Sequence, residues 1–120
     1  MLVFVLTLLL SPQAAALPSG PLADVALART TVERLANGEF AAAEATFSEK
    51  LRAALPEDKL RLMWQKVAGN AGQLKLIGDP QFKDRPPLRG VILPVQFDNR
   101  KIKIEVVLNA AGEIAGLLFT

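Results

Sequence analysis

Apolar residues recur every three or four positions in the chain after residue 20, which is the spacing of one helix face. A first helix is predicted from Leu22 to Ala36, with Pro21 at its start and Asn37-Gly38 at its end. A second, short helix is predicted from Phe40 to Phe47. Ser48 is then placed to cap a further helical turn.

A longer amphipathic helix is predicted to begin at Pro56, since proline suits the first position of a helix. Glu57 and Asp58 then lie in the first turn, where the helix dipole favours negative charge. An apolar stripe gives this helix its inward side, and its members are Leu60, Met63, Trp64 and Val67. The glycine-containing stretch at 69–72 ends the helix.

After Gly72 the apolar period changes to two, which predicts strands. Four strands are expected, at residues 73–77, 88–97, 100–108 and 113–119. The segment 78–87 is predicted to be a polar, proline-bearing loop, and Pro94 indicates that its strand is bulged or lies at a sheet edge. Helices followed by a meander predict an α+β fold, in which the N-terminal helices pack on a curved four-stranded antiparallel sheet.

The third predicted strand alternates most clearly between apolar and charged positions. One face carries Ile102, Ile104, Val106 and Leu108. The other face carries Lys101, Lys103 and Glu105. The apolar face must turn towards the helices, so the charged face is expected to point outwards. A dimer through that outward face would be polar and salt-sensitive, and we expect a monomer or a weak homodimer.

The first sixteen residues have the layout of a secretory signal peptide. An apolar run from Leu2 to Leu10 is followed by a break at Ser11-Pro12 and an A-x-A cleavage site at 14–16. Residues 17–21 are then a linker and residues 22–120 a single domain. A membrane anchor is the alternative, but the run is shorter than the roughly 18 residues that span a bilayer. We therefore expect a periplasmic or secreted protein, with no membrane contact after signal cleavage.

The composition argues against most catalytic chemistry. The 120 residues include no histidine, cysteine or tyrosine, which removes the commonest general base, thiol chemistry and the usual zinc ligands. The aspartates lack the spacing of a calcium-binding loop, so neither a metal nor a cofactor is expected. The net charge is only +2 and the two signs are interleaved, so we expect no nucleic-acid binding.

Two segments carry a family resemblance, namely Leu55-Pro56-Glu57 followed by Leu60 and Trp64, and the hairpin from Lys103 to Phe119. With the residues between them, they resemble an uncharacterised bacterial domain of cystatin-like or nuclear-transport-factor-like fold. The resemblance implies a cone-shaped domain of exported proteins, often N-terminal to a dienelactone-hydrolase-type α/β-hydrolase domain. The chain contains no G-x-S-x-G nucleophile elbow, so hydrolase activity is not expected of this polypeptide.

Four side chains are candidates for lining the mouth of such a cone, namely Trp64, Phe47, Phe82 and Glu105. Trp64 is either a stacking platform for a ligand or a core residue, and core packing is the commoner role. Phe82 lies in the polar loop, where a lid or an interface residue is one reading. Glu105 supplies a carboxylate for acid/base chemistry or, more simply, forms a cross-strand or same-face ion pair, since it shares a face with Lys101 and Lys103.

These observations together predict a binding domain rather than an enzyme. The expected function is an exported, non-catalytic domain that binds a partner protein or a small apolar ligand, as an accessory to a separate hydrolase. The alternative is a small enzyme with a carboxylate-based site in the cone, because folds of this shape host both classes.

Overall fold

The computed structural model describes residues 20–120. Four helices precede five strands in this part of the chain. The helices are α1 (Pro21–Ala36), α2 (Phe40–Glu44), α3 (Glu49–Ala54) and α4 (Glu57–Ala68). The strands are β1 (Leu74–Ile77), β2 (Gln81–Arg85), β3 (Leu88–Phe97), β4 (Lys101–Leu108) and β5 (Ile114–Phe119). The α+β class with N-terminal helices is confirmed, whereas the signal peptide predicted at residues 1–16 and most of the linker at 17–21 lie outside the described residues.

The helix boundaries follow the capping residues closely. Helix α1 begins at Pro21 and ends before Asn37, and Gly38 adopts a φ of 79° just beyond it. The Oγ atom of Ser48 accepts a hydrogen bond of 3.1 Å from the Leu51 N–H, which caps α3 as predicted. Helix α4 begins at Glu57, one residue later than predicted. Pro56 is therefore its N-cap rather than its first helical residue.

The sheet has five antiparallel strands rather than the four that were predicted. The segment predicted as a loop at 78–87 contains β2, which forms a hairpin with β3. Strand β3 is internal, with β4 on one side and both β1 and β2, one after the other, on its second side. Strand β5 pairs with the far side of β4 and forms the opposite edge.

Pro94 was expected at a sheet edge or at a bulge; it lies in the internal strand β3, so the edge alternative is wrong. The strand pairing on this side of β3 is interrupted opposite Pro94, between the end of β1 and the start of β2. At the interruption Gly78 donates its N–H to the Pro94 carbonyl at 2.8 Å. Arg29 of α1 stabilises the backbone at this interruption by donating hydrogen bonds to the carbonyls of Ile77 and Gly78, at 3.2 and 3.0 Å. The ring nitrogen of Pro94 therefore faces the break instead of a continuous ladder.

All four helices precede the strands in the chain. The core forms where α1 and α4 pack against the inner face of the sheet. The predicted alternation of β4 is confirmed, since Ile104, Val106 and Leu108 are fully buried while Lys101 and Lys103 are exposed. Strand β3 contributes its own buried row to this face, made of Val91, Leu93, Val95 and Phe97. The helices contribute their own buried residues to this core, namely Ala28, Val32, Leu35, Leu60 and Trp64.

Candidate binding surface

Trp64 is a core residue that also borders a cleft. Its side chain is 8% exposed, and its ring meets Phe97 and Phe119 edge-on, with centroids 5.9 and 6.2 Å away. One side of the ring borders a cleft of about 700 Å³ at the carboxyl ends of α1 and α4. The rim of that cleft is largely polar and includes Glu33 and Gln73, so it does not offer the apolar lining expected for an apolar ligand.

The other three predicted cone residues lie apart from Trp64. Phe47 is fully buried where the chain enters α3, in a parallel bridge with Ile114. Phe82 is 53% exposed on β2, near the sheet edge, rather than in a loop. Glu105 lies on the outer face of β4, away from the helices. The structure therefore does not bring these four side chains together into one lining.

Glu105 forms an ion pair, the simpler of its two readings. Its carboxylate lies over Gly90 of β3, and one oxygen is 3.8 Å from an Arg85 nitrogen on β2. A Cβ atom at Gly90 would come within 2.7 Å of that oxygen and 2.9 Å of a backbone carbonyl, so only glycine leaves room for the carboxylate. The partner lies two strands away on β2, so the ion pair is a cross-strand pair rather than one with Lys101 or Lys103 on the same strand.

The buried polar residues Asp24, Thr31 and Ser48 are each engaged in a structural contact, whereas Glu44 Oε2 is a buried oxygen without a hydrogen-bond partner among the described residues. Asp24 of α1 accepts two hydrogen bonds from the guanidinium of Arg89 on β3, at 2.7 and 3.1 Å. This pairing raises the pKa of Arg89, chiefly through the hydrogen bond to Asp24. Thr31 donates to the Leu27 carbonyl, and Ser48 caps α3. These three buried polar residues therefore serve the fold.

The outer face of the sheet is a surface that the helices leave open. No helix among residues 20–120 covers it, and Leu76 and Leu118 remain 58% and 49% exposed there. A shallow trough of about 680 Å³ runs across the face, mostly over apolar atoms. The side chains that border the trough on this face are Leu76, Pro94, Gln96, Lys101 and Lys103. Leu76 and Pro94 were not among the predicted site residues, although each occupies an outward position of the period-two pattern.

The trough is basic at its border. Lys101 and Lys103 form no ion pair among the described residues, whereas Glu105 is already paired with Arg85. Lys83 adds a further positive charge on the same face, opposite Gly90. The outer face thus combines apolar contact area with an excess of positive charge, a combination that suits an acidic, partly apolar ligand.

Residues 20–120 hold no cluster of three or more histidine, cysteine, aspartate or glutamate side chains that fits a metal ion. No helix in the described range is both long and apolar enough to cross a membrane.

A family model described as "Protein of unknown function (DUF3887)" matches residues 28–117, from the middle of α1 to the middle of β5. The chain belongs to this family. The match takes in both the helical layer and the sheet of the DUF3887 domain, so the two layers form one family unit. No curated protein and no solved structure matches the chain.

Proposed function

We propose that this DUF3887 domain is an exported, non-catalytic interaction domain that docks a partner protein on the outer face of its sheet. The observation that carries the proposal is the apolar trough beside Lys101 and Lys103 on a face that no described helix covers. Exposed apolar surface rimmed by charge is typical of a docking surface.

The partner is expected to present acidic side chains next to apolar ones. Lys83, Lys101 and Lys103 all lie on this face. The charges of Glu105 and Arg85 neutralise each other in their ion pair, so the lysines leave a net positive charge. An acidic partner would meet complementary charge across the whole trough. A second copy of the domain docked face to face would instead bring the lysines of both copies together, which disfavours that occupant.

Two further features support binding rather than catalysis. Asp24, Thr31 and Ser48 are each bonded within the fold, which leaves Glu44 Oε2 as the one buried side-chain polar atom without a partner among residues 20–120, and a single such atom is not a convergent set. The cleft beside Trp64 is polar at its rim, which makes a small apolar ligand the weaker option. A separate hydrolase, as in the family that the sequence resembles, is the first partner to examine.

Site-specific photocrosslinking in the source cells tests the proposal. A photoreactive amino acid replaces Leu76 on the outer face or, as a control, Leu62 on α4, since these side chains are 58% and 59% exposed. We expect a discrete adduct with another protein from position 76 alone. The adduct should weaken at least about ten-fold in K101E/K103E, because charge reversal removes the complementarity, and should persist in K50E/K59E, which reverses two exposed helical lysines.

Several outcomes would overturn the proposal. A lipid adduct from position 76 would replace the protein partner with a membrane surface, and an adduct of two copies of the domain would replace it with self-association through the face. Equal adducts from both positions, or an adduct that survives K101E/K103E unchanged, would remove the trough from the explanation. Absence of any adduct from position 76 would count against docking on this face.

A further inference from the structure

The two edges of the sheet differ in how they are protected. The edge formed by β1 and β2 is interrupted between Ile77 and Gln81, and it carries Pro80 and several charged residues. Those charged residues are Lys75, Lys83, Asp84 and Arg85. Breaks, prolines and charges at an edge discourage pairing with another chain, so this side of the sheet is guarded.

The opposite edge has none of these protections. Strand β5 has the sequence IAGLLF, with neither a charge nor a proline. Its first residue is covered, because Ile114 donates its N–H to the Thr46 carbonyl at 2.9 Å and accepts from the Ser48 N–H at 2.7 Å. Beyond Ile114 no described segment pairs with this edge. A short, apolar, uncharged edge is therefore open to another strand.

The register shows which backbone groups are free. The Thr120 N–H donates to the Lys103 carbonyl at 2.9 Å, so Thr120 points its backbone towards β4. Backbone direction alternates along a strand, so Leu117 and Phe119 direct their N–H and C=O groups away from the sheet. No backbone hydrogen bond joins these outward groups to another described residue.

We infer that this edge pairs with β5 of a second copy, antiparallel and about a two-fold axis at Leu118. In that register Leu117 of each copy bonds to Phe119 of the other, which satisfies the outward N–H and C=O groups of these two residues. The two Leu118 side chains then face each other directly across the outer surface. An identical partner is favoured because β5 carries no charge, so self-pairing brings no like charges opposite each other. A second copy docked on the outer face would instead bring the lysines of the two copies close together.

A cysteine at the axis tests the register directly, since the chain has no cysteine of its own. Opposed residues of a non-hydrogen-bonded pair have Cα atoms roughly 4.5 Å apart, within disulfide range. L118C should therefore oxidise to a covalent dimer at micromolar concentration. L62C is the control, because Leu62 is 59% exposed against 49% for Leu118 and should stay monomeric under the same conditions.

Sedimentation velocity supplies the second measurement. The native domain should dimerise reversibly, with little change between low and high salt, since the interface has no charge. L118K should weaken the dimer at least about ten-fold, because it places two ammonium groups opposite each other, while L62K should leave it unchanged. A monomeric native domain, a dimer that salt dissolves, or a dimer unaffected by L118K would overturn the inference. Circular dichroism of each variant separates loss of pairing from loss of folding.

Discussion

The two faces of the sheet are made by the same strands, yet they differ in almost every physical respect. On the inner face Val91 and Val106 are completely buried beneath the helices. One residue further along each strand, Ile92 and Val107 remain partly exposed on the outer face. Because successive side chains point to opposite faces, one sequence carries both a core and an exposed surface. The inner row is constrained by packing, whereas the outer row is free to serve recognition.

Removing an aromatic ring from the inner face should have the largest effect on stability. W64A should lower the free energy of unfolding by about 3–5 kcal/mol, because it empties the space between Phe97 and Phe119. Chemical denaturation followed by far-UV circular dichroism measures the change. L76A, on the outer face, should cost no more than about 0.5 kcal/mol. Similar losses for W64A and L76A would contradict the contrast between the faces.

The second prediction concerns the polar tie between the inner face and α1. D24N should lower the free energy of unfolding by about 3 kcal/mol, since it leaves the Arg89 guanidinium without its charged partner. Thermal and urea unfolding give the value. D79N is a suitable control, because the carboxyl of Asp79 makes neither an ion pair nor a hydrogen bond among the described residues. Equal unfolding curves for D24N and D79N would show that the pair contributes nothing.

The smallest effect is expected at the rim between the faces, in the turn from β3 to β4. Asp98 accepts a hydrogen bond of 2.8 Å from the Gln73 N–H and lies 3.2 Å from the Lys75 ammonium group. These contacts lower the pKa of Asp98, the backbone hydrogen bond most of all. Its contribution to stability is therefore complete well above the ordinary pKa of an aspartate and is lost as the pH falls through the lowered pKa.

Acid titration of unfolding measures this contribution. The native domain should lose slightly more stability than D98N as the pH falls from about 5 to 2, because D98N has no carboxylate to protonate. The two proteins should then converge in the acid range. A parallel acid dependence in both would show that Asp98 is not responsible.

The inner face could be predicted from the sequence because packing leaves a periodic signal. The helical stripe around Trp64 and the alternation along β4 both placed their residues on the correct side. Strand β2 left no such signal, since its five residues are all exposed and prolines lie on both sides of it. It forms because β3 offers it a hydrogen-bonding edge. The local hydrophobic pattern cannot show a strand that forms because of its pairing with another strand.

The candidate surface was harder to predict for the same reason. The alternation identified Lys101, Lys103 and Glu105 as an outward row, but it could not show which residues of the other strands lie beside them. The trough depends on the register that brings Leu76 and Pro94 next to that row. The pairing of Glu105 with Arg85 likewise depends on Gly90, which leaves space between them. Register between distant strands is set by the fold as a whole.

The break in the ladder opposite Pro94 divides one edge into two short pieces of different stability. The piece formed by β1 is tied to α1 through Arg29, whereas β2 bonds to β3 alone and buries no side chain. The β2 hairpin arm can therefore open without disturbing the core. Its amide protons should exchange with solvent deuterons well before those of β4. The edge would then have a mobile half and a fixed half, with the boundary at Gly78.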